Sequence, residues 1–187
     1  DDIASIVSSI ANMMRYSITN ADGMVAISQE IANIREFISV YQLRHNNRLH
    51  LETSVDNEDI SIPKFPLQPL VENSIKHGFQ RKNQECCISI IIHLKNEKIH
   101  IEVMDNGSGM ETVQQQLLSE EIQNIYEHPM KRLPETGHVG IKNVVQRLYL
   151  EYGDAFDVKI ISNAGYGTRI EMEIPLERAG GEEEVYV

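Results

Sequence analysis

The stretch from Pro66 to Gly78 constrains this chain most. A proline before it and a glycine at its end are helix boundary signals. Between them Leu67, Leu70, Val71, Ser74 and Ile75 recur at helical spacing on one side, while Glu72, Asn73, Lys76 and His77 fall on another. A helix with one packed face and one face of carboxylate, amide, ammonium and imidazole is either an ordinary surface helix or the wall of a polar pocket. The neighbouring segments decide between the two.

Upstream, Ile3, Ile6, Val7, Ile10, Met13, Met14 and Ile18 predict an amphipathic helix, and Thr19 to Gly23 a turn. Ile27, Ile31, Ile34, Phe37, Ile38 and Tyr41 predict a second helix, capped by Ser28 with Glu30 in its first turn. The short link predicts an antiparallel hairpin, serving either as two core helices or as a pairing element. Leu49, Leu51, Thr53 and Val55 alternate as a strand does, Asp56 to Asp59 breaks it, and Ile60 to Pro66 reads as a proline-bounded connection. Downstream of the central helix and a polar loop from Gln80 to Glu85, Ile88, Ile90, Ile92 and Leu94 alternate. Ile99, Ile101 and Val103 alternate again after a four-residue connection, Lys95 to Lys98, which predicts a β-hairpin. From Glu111 to Thr136 the chain is polar and weakly patterned, with one short helix near Thr112 to Ile125; so long a loop is usually a lid or a binding loop. A helix carrying Ile141, Val144, Val145, Leu148 and Tyr152 follows. Strands at Asp157 to Ser162 and Thr168 to Ile174, joined by Ala164-Gly165-Tyr166-Gly167, close the fold, with Pro175 ending the sheet and an acidic tail after it.

With 187 residues, 41% hydrophobic and 24% charged, the chain fits one globular domain, with or without a small appendage. Its formal charge of −11 excludes a general nucleic-acid binder, which needs clustered Lys and Arg. An acidic protein that binds a nucleotide needs local help from a metal, a helix N-terminus or a few placed cations. No apolar run is long enough to span a membrane. The two cysteines, Cys86 and Cys87, are adjacent; they form neither a disulfide framework nor a zinc-ligand spacing and suit a reducing, cytosolic setting.

Three polar clusters carry the chemistry. On the central helix Asn73 offers a neutral amide oxygen suited to a hard cation that takes its other ligands from water and phosphate, with Lys76 a point charge one helical step away. In Asp105-Asn106-Gly107-Ser108-Gly109 a carboxylate stands at the end of a strand where the chain bends with little bulk; its natural partner is a donor such as an exocyclic amine. In Gly137-His138-Val139-Gly140 glycines precede a helix N-terminus, where backbone N–H groups can approach an anion. His138 reads as an exposed loop residue and Ser108 as a turn residue.

Taken in order, Leu70-Val71-Glu72-Asn73-Ser74-Ile75-Lys76-His77-Gly78, Asp105-Asn106-Gly107-Ser108-Gly109-Met110, Thr136-Gly137-His138-Val139-Gly140-Ile141-Lys142-Asn143 and Gly165-Tyr166-Gly167-Thr168 resemble the N box, two glycine boxes and last motif of one ATP-binding domain. That domain, the GHKL or Bergerat fold, is shared by DNA gyrase, the ATP-driven heat-shock chaperone clamp, MutL and sensor histidine kinases. The resemblance covers roughly Leu49 to Leu176. Gln68-Pro69-Leu70-Val71-Glu72-Asn73 with Lys76-His77-Gly78 is most similar to the YesM/LytS type of sensor histidine kinase. Met13-Met14-Arg15-Tyr16-Ser17 and Tyr41-Gln42-Leu43-Arg44 also resemble that branch's dimerisation helices.

The resemblance implies an α+β two-layer sandwich, a mixed and mainly antiparallel sheet covered by helices on one face, preceded by a helical hairpin. It divides the chain into a hairpin at 1–47, left from the dimerisation and phosphoacceptor region, an ATP-binding catalytic domain at 48–178, and a tail at 179–187. It implies that Asp105 accepts from the adenine amine, Gly107 and Gly109 give room near the base, and Thr168 sits beside it. Asn73 would hold Mg²⁺, Lys76 and His77 would steady phosphate oxygens, and Gly137, Gly140 and the helix start near Ile141 would cradle the phosphate tail. Glu72 is the candidate catalytic carboxylate, either in the metal's outer shell or orienting the acceptor histidine. The base of the hydrolysing relatives would fall at Pro69, which favours a transferase over an ATP hydrolase clamp. A non-catalytic interaction module is the third reading. None of the seven histidines has the Pro-His-Phe setting of the family's acceptor, so the acceptor is expected upstream of Asp1. A response regulator as partner, a homodimer, and a membrane-anchored parent with this part in the cytoplasm follow from the same resemblance.

Overall fold

The computed structural model describes residues 2–18, 23–44, 48–64, 66–78, 85–133 and 137–176. Most of the turn expected at Thr19 to Gly23, the loop at 80–84, Thr136 and the acidic tail lie outside them. The described residues hold five α-helices, α1 (Asp2–Ile18), α2 (Ile27–Arg44), α3 (Gln68–Gly78), α4 (Thr112–Glu127) and α5 (Val139–Tyr152), and seven strands: β1 (Met24–Ala26), β2 (Leu49–Val55), β3 (Ser61–Pro63), β4 (Cys86–Lys95), β5 (Lys98–Asp105), β6 (Asp157–Asn163) and β7 (Gly167–Pro175). The main sheet has the order β2-β4-β5-β7-β6; only β2 and β4 run parallel. This is the mixed, mainly antiparallel sheet of an α+β sandwich.

Alternation sets the layers, because successive strand side chains point to opposite faces. Ile88, Ile90 and Ile92 of β4, Ile99, Ile101 and Val103 of β5, and Ile170, Met172 and Ile174 of β7 are all buried. They share one core with Leu70, Val71 and Ile75 of α3 and Ile141, Val144, Val145 and Leu148 of α5. The opposite face carries partly exposed His93, His100, Glu102, Arg169, Glu171 and Glu173, tied by ion pairs such as Arg169–Glu102 at 2.7 Å. Each fully buried aliphatic side chain contributes about 1.5–3 kcal/mol.

The hairpin between β4 and β5 is tighter than its sequence suggests. Lys95 pairs directly with Lys98, leaving a two-residue turn with Asn96 at φ 52° and Glu97 at φ 60°. These are the positive values of a type I′ turn, which matches the right-handed twist of the strands. Asparagine tolerates that region; glutamate pays a steric penalty there. Glu97→Gly is expected to stabilise the protein by about 1 kcal/mol, read as a higher urea midpoint at unchanged slope.

The N-terminal region departs further from expectation. Met24–Ala26, for which the sequence predicts no element, and Ser61–Pro63, expected to be part of a connection, are short strands that pair antiparallel. The first N–H groups of α2 are satisfied by this neighbourhood: Ile27 donates to the Ile60 carbonyl at 2.9 Å and Ser28 to the Glu58 carbonyl at 3.1 Å. Ser28 therefore lies inside the helix rather than capping it. The hairpin of α1 and α2 is antiparallel, but polar side chains join it: Ser9 to Ser39 at 3.2 Å, Asn12 to Glu36 at 3.0 Å, and Tyr16 to Glu30. Val7, Ile10, Met14 and Ile18 of α1 stay exposed. Meanwhile α2 sends Ile31, Ile34, Phe37 and Ile38 into the core of the sheet, so the core runs across the expected division at 47/48.

Candidate functional site

The site is built around α3. Pro69 sits in the first turn, where a missing N–H costs nothing. The Leu67 carbonyl accepts the Leu70 and Val71 N–H groups, and the Leu67 N–H donates to Glu30 Oε1 at 3.2 Å, which puts a fully buried carboxylate at the positive end of the helix. With the apolar side fixed in the core, Glu72 and Asn73 turn toward a cavity of about 250 Å³. Lys76 and His77 of the same helix also line it, and Gly137, His138, Val139 and Gly140 form its other wall. Two of the three polar clusters thus meet in one cavity. A second space of about 470 Å³ shares Gly137 and His138 and is covered by Gln114, Leu117, Leu118, Glu120, Glu121 and Asn124 of α4. The polar stretch expected to be a lid is therefore largely one helix beside the glycine loop.

The third cluster reaches α3 from the other side. Ser74 Oγ, one residue beyond Asn73, donates to Asp105 Oδ2 at 2.8 Å, and Ser108 Oγ donates to the His77 carbonyl at 2.6 Å. Gly107 N–H closes the turn on Asp105 Oδ1 at 2.8 Å. Asn106 anchors the same turn to the start of β4, accepting from Cys87 N–H at 2.9 Å. Burial raises the pKa of Asp105 above the ordinary carboxylate range; hydrogen bonds from Ser74 and from the Gly107 and Thr168 backbones oppose this only partly. Thr168 lies directly opposite Asp105 in the sheet, with Oγ1 2.9 Å from Ser162 Oγ.

The glycines have separate duties. A Cβ on Gly109, at φ +63°, would stand 2.0 Å from the Asn163 carbonyl oxygen, so this residue is set by packing against the β6–β7 turn. A Cβ on Gly140 would lie 3.0 Å from the Pro69 carbonyl oxygen, so its small size lets α5 approach the start of α3. Gly137, at φ +51°, has nothing within 4 Å of its Cβ position and leaves the loop backbone open. Ile141 is fully buried in the core; the helix start at the cavity is Val139.

Several residues of the site escaped the sequence reading. His138 is not a plain exposed loop residue. It is half-buried at φ 25°, its ring lies 5.2 Å from that of His77, and its Nδ1 is buried with no partner among the described residues. Burial first, then His77, pushes its pKa below the ordinary histidine value. Ser74, a serine among the apolar positions of α3, was the one visible hint of a polar link on the packed face. Lys142, wholly buried, donates to Glu121 of α4 at 3.0 Å and joins α4 to α5. Gln68 accepts from Asn33 Nδ2 at 2.7 Å and donates to Glu72 Oε1 at 3.0 Å. Among the described residues no three His, Cys, Asp or Glu side chains group as metal ligands.

A helix with a buried amide, flanked by a strand-end aspartate on one side and a glycine loop at a helix start on the other, defines an ATP-binding domain of the two-layer kind. Residues 58–178 match the histidine kinase-, DNA gyrase B- and HSP90-like ATPase family, and residues 1–49 match the histidine kinase family. The chain belongs to the former family. It is 30% identical over 176 residues to the sensor protein kinase HptS of Staphylococcus aureus, matching 93% of this chain and 32% of that protein. The chain thus spans about a third of the length of the curated relatives it matches. In fold it is similar to the catalytic domain of histidine kinase ThkA, with TM-score 0.58, 16% identity, and coverage of 81% of this chain and 94% of that one. It is also similar to the histidine kinase domain of an Erythrobacter litoralis blue-light activated kinase, with TM-score 0.55, 14% identity, and coverage of 94% and 75%.

Proposed function

We propose that the chain holds ATP with Mg²⁺ between α3 and the glycine loop and transfers the γ-phosphoryl to a histidine in a preceding segment of the parent kinase. The observation that carries this reading is the attachment of all three polar clusters to one helix: Asn73 on the cavity, Ser74 on Asp105, and His77 beside both Ser108 and His138. In this reading Asp105 accepts from the adenine amine, with Gly107, Gly109 and Thr168 around it. Asn73, buried yet lining the cavity, fits a hard cation that draws its remaining ligands from phosphate and water. Mg²⁺, when bound, supplies charge neutralisation at the phosphates. Lys76 and His77 steady phosphate oxygens, and Gly137, Gly140 and the α5 start cradle them. The acceptor imidazole nitrogen forms a bond to Pγ. The bond from Pγ to the β–γ bridging oxygen breaks, its electron pair leaves with ADP, and the proton on the other ring nitrogen goes to Glu72. Rate then comes from positioning and charge neutralisation.

The phosphoryl group passes on to a response regulator, and the parent acts as a membrane-anchored homodimer with this part on the cytoplasmic side. The exposed stripe of Val7, Ile10, Met14 and Ile18, at 3-4 spacing on α1, supports a helical pairing face. Because α2 packs into the sheet, we place it with the catalytic unit and assign α1 to the pairing region. No helix among the described residues is long and apolar enough to cross a membrane.

The test is to mix the chain with ATP, Mg²⁺ and a peptide bearing the acceptor helix. The peptide is expected to become labelled, without steady phosphate release in its absence. Failure of labelling in a folded, ATP-binding sample would contradict the transferase reading. Asp105→Asn is expected to weaken ATP binding by about 10–100-fold, and Asn73→Ala to remove its magnesium dependence; equal affinities in all three proteins would exclude the site. Because burial holds the Asp105 pKa above the ordinary range, its carboxylate is protonated earlier as pH falls. Binding of ATP is therefore expected to weaken at a higher pH than a surface aspartate would give, and this step should be missing in Asp105→Asn.

A further inference from the structure

The Gln68–Glu72 hydrogen bond, taken alone, is an ordinary pair one helical turn apart. Its setting is not ordinary. Asn33 of α2 is 5% exposed, and its Nδ2 donates to Gln68 Oε1 at 2.7 Å. The Gln68 amide thus bridges the two: Oε1 faces Asn33, and Nε2 faces Glu72 Oε1 at 3.0 Å, a carboxylate oxygen that can only accept. Turning the amide over would set two donors against each other on one side and two acceptors on the other. The second oxygen of Glu72 lies 3.8 Å from Lys76 Nζ. Glu72 is thus held at both ends while it lines the cavity with Asn73. Asn33, which bonds Gln68, comes from a helix that the division at 47/48 would place outside the catalytic domain.

We propose that Gln68 is a positioning residue for phosphoryl transfer: bridging the buried Asn33 of α2 and Glu72, it ties the Glu72 carboxylate to α2 and so aims it. This rests on the transferase reading, in which that carboxylate takes the proton from the acceptor imidazole. Gln68 does not line the cavity, so its effect runs through Glu72 alone. α2 itself is tied to α3 by Glu30, which accepts both the Leu67 N–H and the Tyr16 hydroxyl of α1, so the relay stands on a buried and braced helix.

The experiment is a double-mutant cycle on the same labelling assay, with ATP affinity measured in parallel. Gln68→Leu is expected to lower kcat about tenfold while KM and Kd for ATP stay within about twofold. Asn33→Asp, nearly isosteric, draws Gln68 Nε2 toward itself and turns the oxygen to Glu72; the same loss of kcat is expected. In the Glu72→Ala background neither substitution should slow the reaction further, because its target is gone. A Gln68→Leu loss of equal size with and without Glu72 overturns the proposal. So does unchanged kcat in Gln68→Leu or Glu72→Ala, or a loss confined to ATP affinity. A wild-type chain that binds ATP but labels no acceptor overturns the transferase reading as well, which tells the two failures apart.

Discussion

Gly167→Ala is expected to destabilise the protein by about 4 kcal/mol or more and to abolish ATP binding before any loss of secondary structure at the far end of the sheet. Gly167 opens β7 at φ +98°, a conformation that L side chains rarely adopt. A Cβ there would stand 1.9 Å from the Asp105 carbonyl oxygen and 3.0 Å from the Asn106 Cα. Neither neighbour can yield, because both are backbone. Asp105 is locked to Ser74 and Gly107, and Asn106 accepts the Cys87 N–H. Relief requires β5 and β7 to part where Asp105 pairs with Thr168, at the expected adenine end of the site. Urea unfolding and an ATP titration on one sample check this. A variant with native stability would show that the two strands separate there at little cost.

Glu121→Ala is expected to cost about 3 kcal/mol, whereas Lys142→Met costs far less or is neutral. The asymmetry follows from burial. Lys142 is wholly buried, and its Nζ donates to Glu121 Oε1 at 3.0 Å. Removing the carboxylate strips a wholly buried ammonium of its ion-pair partner at 3.0 Å, while replacing the lysine with methionine removes the charge and keeps the volume. Glu121 belongs to α4, so its loss loosens that helix against α5. Leu118, Ile122 and Ile125 hold the rest of that helix in place. Thermal unfolding of both variants, with amide exchange on 112–127, checks the prediction. Equal destabilisation by the two substitutions would mean that the ion pair contributes net attraction rather than mutual compensation.

How far the site could be read in advance depended on the range of each interaction. Ile88 to Val103 announced a hairpin because its alternation is local, and Ile141 to Tyr152 a helix for the same reason. The tight turn at Asn96-Glu97 was hidden because neither residue is glycine. The pairing of Met24–Ala26 with Ser61–Pro63 was hidden because three residues hold no period to detect. His138 read as a loop residue because nothing near it in the chain discloses His77, which faces it from α3.

The amino-acid sequence by itself determined the family, the sheet's alternating core and the three polar clusters. Each is written in residues that lie side by side along the chain. Only the tertiary structure decided that Ser74 bonds Asp105, that Gln68 joins Asn33 to Glu72, and that α2 shares the core of the sheet while the apolar stripe of α1 faces outward. Those choices depend on how each helix is rotated about its axis and how close its neighbour comes. Such quantities are set by the packing of the whole core, not by any short run of residues.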